Sequence, residues 1–114
     1  MNETIEPEWF TAESDKIKNP DKPRRFKIRG LDSLEALDVI THTYVENGEI
    51  YANGSALKAA VRNGIIDWEN HNDAEGKPIE HSRANLITVD PLALLQVGKQ
   101  IIGKTNLTGE EIKN

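Results

Sequence analysis

The sequence predicts an α+β fold: a predominantly helical single domain with a small antiparallel sheet. Three observations carry that prediction. RRFKIRGL alternates apolar and basic side chains with the period of a half-buried strand. Asp32 with Glu35, Ser55, and Asp90-Pro91 stand where the unpaired N–H groups of a helix start need acceptors, and a helical apolar pattern follows each of them. With 37% hydrophobic and 29% charged residues, and only two each of Trp, Tyr and Phe, the core is expected to be small and aliphatic.

Residues 1–23 hold three of the five prolines and are expected as an extended N-terminal arm whose Trp9-Phe10 pair docks elsewhere, with 24–114 forming the domain. In the strand near 25–30, Phe26 and Ile28 face one side and Arg25, Lys27 and Arg29 the other; Gly30 ends it. Asp32 and Glu35 form a capping-box-like start for a helix from about 32 to 45, lined by Leu34, Leu37, Ile40 or Thr41, and Tyr44, and stopped by Asn47-Gly48. Ile50-Tyr51 supplies a second sheet piece. Ser55 caps a helix with Leu57, Ala60 and Val61 inside and Gly64 as its stop. Pro78-Ile79 supplies the third sheet piece, and Ser82 caps a short helix over Ala84 to Val89. Asp90-Pro91 opens a helix from 91 to 102 with Leu94, Val97, Gly98 and Ile101 on one face, Leu95 and Ile102 beside them, and Gly103 at its end. Thr108 with Glu111 begins a last helical turn.

The run IIDWENHNDAEGKP, 65–78, places Asp67, Glu69, His71, Asp73 and Glu75 at every second position. A calcium loop beginning at Asp67 would need glycine where Asn72 stands and glutamate where Pro78 stands. His42, His71 and His81 share no helical ligand spacing, and there is no cysteine, so no metal site is expected. Asp73-Ala74-Glu75-Gly76 instead matches a type I turn, with Trp68 as the buried anchor beside it. No nucleophile-elbow, phosphate-loop, dinucleotide or zinc-protease motif occurs, and His81-Ser82 is a loop residue before a cap; neither catalysis nor a cofactor is expected. The N-terminal residues lack a basic and apolar leader pattern and no long apolar run occurs, so a cytosolic chain is expected.

Formal net charge is −5, yet seven of the fourteen basic residues fall within 16–29: Lys16, Lys18, Lys22, Arg24, Arg25, Lys27 and Arg29. That patch would suit phosphate or an acidic partner; it would equally be the wet face of a strand and its loop, and the acidic remainder weighs against nucleic acid.

The order of elements in the C-terminal half resembles the tail assembly chaperones of long, non-contractile-tailed bacteriophages. The resemblance lies in the apolar helix ending Val61 to Gly64, the Asp67-Trp68 pair, the D-x-x-G-x-P turn of Asp73 to Pro78, the capped helix Ser82 to Leu86, and TNLTGEEIKN, Thr105 to Asn114; it spans about half the chain. It implies a non-catalytic protein of phage or prophage origin that acts in the host bacterial cytoplasm and is absent from the mature virion. Its client would be the tape-measure protein, kept soluble during tail-tube assembly. A frameshifted longer form would reach the tail-tube protein, and self-association into a homo-oligomer is common in the family. The helix over 91–102 has more apolar residues than one stripe needs, so Leu94, Leu95, Ile101, Ile102 and Leu107 are the candidate partner-binding residues. The rival readings are a virion structural adaptor, such as a head-tail connector or minor tail protein, and a small nucleic-acid-binding regulator using 16–29.

Overall fold

Strand β2, Arg25–Ile28, is the middle strand of a three-stranded sheet: it pairs antiparallel with β1, Glu8–Phe10, on one side and with β5, Ile65–Glu69, on the other. The computed structural model describes residues 7–105. Alternation does what the sequence requires of it, with Phe26 and Ile28 fully buried and Arg25 and Lys27 half-buried on the opposite face. Phe26 lies directly across from Trp68 in the register, and their rings meet edge to face with centroids 6.3 Å apart.

Among the described residues four α-helices complete the α+β fold: α1, Glu13–Lys18; α2, Ser33–Ile40; α3, Gly54–Gly64; and α4, Pro91–Lys104. A hairpin, β3 (Thr43–Glu46) and β4 (Glu49–Ala52), stands apart as its own two-stranded sheet. Asp32 and Glu35 form the full reciprocal capping box of α2, and Asp90 accepts from the Ala93 N–H at the start of α4. The cap of α3 is Asn53, two residues before the expected Ser55; its side chain accepts from Ala56 N–H, and Ser55 lies inside the first turn.

Helices α3 and α4 pack closely because both present small residues. Ala56, Ala59, Ala60, Val61 and Gly64 are the buried residues of α3, and Ala93, Val97, Gly98 and Ile101 those of α4. A Cβ at Gly98 would stand 3.0 Å from Leu57, and one at Gly64 would stand 2.6 Å from two Ile101 side-chain atoms. Ile101 therefore occupies the volume that glycine leaves open.

Several expectations are corrected. The helix expected to run to 45 ends at Ile40, and Asn47-Gly48 is a hairpin turn, with positive φ at both residues (53° and 82°) as a type I′ turn requires. Leu34, Leu37 and Tyr44, expected to line its inner face, are exposed, and Val39 is its buried residue. The piece at Ile50-Tyr51 belongs to the separate hairpin. Pro78 makes one bridge to Asn72, while β5 takes the sheet place expected near 79. The stretch expected as an extended arm contains β1 and α1 from residue 8 onward. Helix α4 passes through Gly103 to Lys104, where the buried Thr105 hydroxyl donates to Ile101 C=O and accepts from Leu31 N–H. The turn expected at Thr108 and Glu111 lies outside the described residues.

Candidate functional site

The sequence-predicted partner residues fall into different environments on α4. Packing against α3 selects the row Ala93, Val97 and Ile101, one turn apart, and this rotates Leu92 and Leu95 outward. Leu92 is 53% exposed and Leu95 37%, and just before the helix Ile87 is 90% exposed at the 3-10 turn Ala84–Thr88. Leu94 and Ile102 are partly buried against the core. Ile101 is a correction: with no exposed surface and its side chain against Gly64, it is a core residue with no surface to offer a partner in this fold. Leu107 lies outside the described residues.

A second set of exposed apolar side chains was not expected. Leu34 and Leu37 are neighbours on the outer side of α2, 79% and 54% exposed. In the hairpin that follows, Tyr44 and Tyr51 are cross-strand partners with stacked rings 5.5 Å apart, and Val45 is 69% exposed. The signal for the hairpin was present: Asn-Gly between THTYVE and EIYA, two short runs rich in β-branched and aromatic residues.

The run that alternates charged groups contributes one member to a buried polar node built on Arg24. The guanidinium reaches Asp15 of α1 through Nη2 (2.9 Å) and Nε (3.2 Å), and the Asp90 cap of α4 at 2.6 Å. Its Nη1 meets His71 Nδ1 at 3.2 Å, and the group lies over the Phe26 ring. His71 Nε2 is 2.8 Å from the Thr88 hydroxyl, which itself donates to Asn85 C=O. The hydroxyl hydrogen is thus committed, so Nε2 carries the ring proton and Nδ1 accepts from Arg24. Trp68 sits edge-on to both His71 and His81. A shallow recess of about 230 Å³, lined by Asp15, Lys18, Asn19, Arg24 and Asn70 to Asn72, lies outside these groups. Their polar atoms satisfy one another, which gives the node a stapling role between α1, β2, the loop after β5 and α4.

Burial, and next the Arg24 charge, lower the His71 pKa from its ordinary 6.5, against the opposing pull of Asp15 and Asp90. The folded state therefore takes up the proton at lower pH than the unfolded chain does. Its stabilisation is full above about pH 6.5 and declines as pH falls through that value toward the folded pKa. Urea midpoints should drop between pH 7.5 and 5.5, and His71→Asn, which keeps an acceptor near Nδ1 but cannot charge, should flatten that dependence; an equally steep variant would refute the assignment.

The node and two further pairs account for the arginines of the basic patch. Arg25 hydrogen-bonds Glu69 and lies over Trp9, and Arg29 makes a bidentate pair with Glu35 at 2.9 and 2.8 Å. That pairing holds the Glu35 carboxyl below its usual range. Arginines engaged in this way offer a phosphate backbone little, which weighs against the nucleic-acid reading. Among the described residues no group of three or more His, Asp and Glu side chains is placed to hold a metal ion. No protein-family model, curated protein or solved structure matches this chain.

Proposed function

We propose that this chain is a non-catalytic tail assembly chaperone of a long-tailed phage or prophage, binding the tape-measure protein in the host cytoplasm and keeping it soluble until the tail tube forms around it. The observation that carries the binding role is the apolar rim at the start of α4: Ile87, Leu92 and Leu95 stay in solvent although the same helix buries Ala93, Val97 and Ile101. A long helical client exposes apolar stripes of its own, and an exposed helix face with leucines one turn apart fits such a stripe. The client's identity comes from the motif order Val61 to Gly64, Asp67-Trp68, Asp73 to Pro78 and Ser82 to Leu86, the part of the resemblance that falls within the described residues. In this reading the Arg24 node maintains the frame and performs no chemistry.

Co-expression with the tape-measure protein of the same genome tests it. The expected result is transfer of that protein from the pellet to a soluble, co-purifying complex, and its return to the pellet with Leu92→Asp/Leu95→Asp, two exposed changes that leave the chaperone itself folded. An unchanged pellet, with the chain detected in purified virions, would make it a structural adaptor instead.

A further inference from the structure

From residue 30 to 57 the chain contains five acids, Asp32, Glu35, Asp38, Glu46 and Glu49, and neither lysine nor arginine. This quarter of the protein, α2 and the hairpin, carries as much net negative charge as the whole chain, −5, so the remainder is neutral in balance. Glu35 is taken by Arg29, but Glu46 and Glu49 stand directly opposite each other across the hairpin, where like charges repel. The same module holds Leu34, Leu37, Tyr44, Val45 and Tyr51 in solvent. A two-stranded hairpin is marginal without cover, and both of its edges present unpaired backbone groups. Apolar side chains set among acids, with no cation of their own, define the complementary surface.

We propose that α2 and the β3–β4 hairpin form a docking face for a lysine- or arginine-bearing amphipathic segment of a partner protein. The proposal rests on reading the chain as a binding protein and adds a surface on different elements from the α4 rim. A second copy of this chain is the wrong occupant, because two-fold pairing would set one acidic face against another. A basic segment would lay its apolar side on Leu34, Leu37 and Val45 and bring cations to the acids at their margin: Asp38 on α2 and, at the tip of the hairpin on the other face of the ribbon from Val45, Glu46 and Glu49.

The test titrates the folded chain with a synthetic Leu/Lys amphipathic peptide and with its Leu/Glu counterpart, following backbone amide resonances. The Lys peptide should bind about tenfold or more tightly than the Glu peptide at low salt, weaken as salt is added, and shift resonances within 32–52. Leu34→Gln/Val45→Thr, chosen to keep helix and strand propensity at exposed sites, should cut that affinity by about tenfold, and Leu92→Asp/Leu95→Asp should leave it unchanged. Equal affinity for the two peptides, shifts confined to other elements, or an unaffected Leu34→Gln/Val45→Thr variant would overturn the proposal. So would peptide-free dimerisation in sedimentation that Val45→Thr abolishes. If the Lys peptide misses this face while the tape-measure protein is still kept soluble, the docking face falls and the chaperone reading stands; the converse result separates them the other way.

Discussion

Arg24→Ala is expected to lower the unfolding free energy by about 3–5 kcal/mol, read as a large fall in the urea midpoint at unchanged slope. The reason is what remains behind: Asp15, 4% exposed, would be left in a buried site without its cation, and Asp90 and His71 Nδ1 would each lose a donor. A domain of ordinary stability, about 5–15 kcal/mol, would lose a large part of it. Arg24→Lys should recover little, since one ammonium cannot reach Asp15, Asp90 and His71 together from the fork that Arg24 spans. Replacing both partners, as in Arg24→Met/Asp15→Asn, should cost less than Arg24→Ala alone, because the uncompensated charge goes with its partner. A single variant as stable as the wild type would show that the node does not staple α1 to α4.

The second large effect is expected at the α3–α4 contact. Ile101→Ala should destabilise by about 2–5 kcal/mol, through lost burial and the cavity left beside Gly64. Gly64→Ala should also destabilise, by about 1–3 kcal/mol, because its new methyl would lie 2.6 Å from Ile101 Cδ1 and Cγ2 in a site where neither helix can yield freely. The two changes share one volume and should therefore be non-additive: Gly64→Ala/Ile101→Ala is expected to be more stable than the separate losses imply. Strict additivity in thermal or urea unfolding would contradict this packing. The experiment also decides the role of Ile101, since a residue that served only a client surface could be truncated with little effect on folding.

Some of this was legible in the residues because the interactions concerned are short. Asp32 with Glu35, Asp90 with Ala93, Ser82 with Asn85, and Asp73 accepting from Glu75 and Lys77 each close within three or four positions, so the caps and the turn follow from neighbouring residue types. Asn47-Gly48 shows where local signals compete. The same pair suits a helix end or a type I′ turn, and Leu34, Leu37 and Tyr44 fit a helical period while Thr43, Tyr44 and Val45 are residue types that favour a strand. The hairpin prevails, with Tyr44 stacked on Tyr51 and the Asn53 N–H closing on His42 C=O at its base.

By itself the sequence determined the α+β class, the alternation of β2, the starts of α2 and α4, the turn at Asp73 and the buried place of Trp68, since each depends on residue type over a few positions. Tertiary structure decided between apolar residues that a helical period leaves as neighbours. On α4, Gly98 meets Leu57 and Val61 of α3 and Ala93 is buried, while Leu92 and Leu95 are exposed, because close helix approach favours small side chains over more apolar ones. It also decided the fate of the charges: Arg24 and Asp90 are 66 positions apart, and no periodicity reports a pair that exists only once α1, β2 and α4 are packed together. Backbone satisfaction is local and is written in neighbouring residues, whereas burial and charge pairing belong to whichever surfaces the folded chain brings into contact.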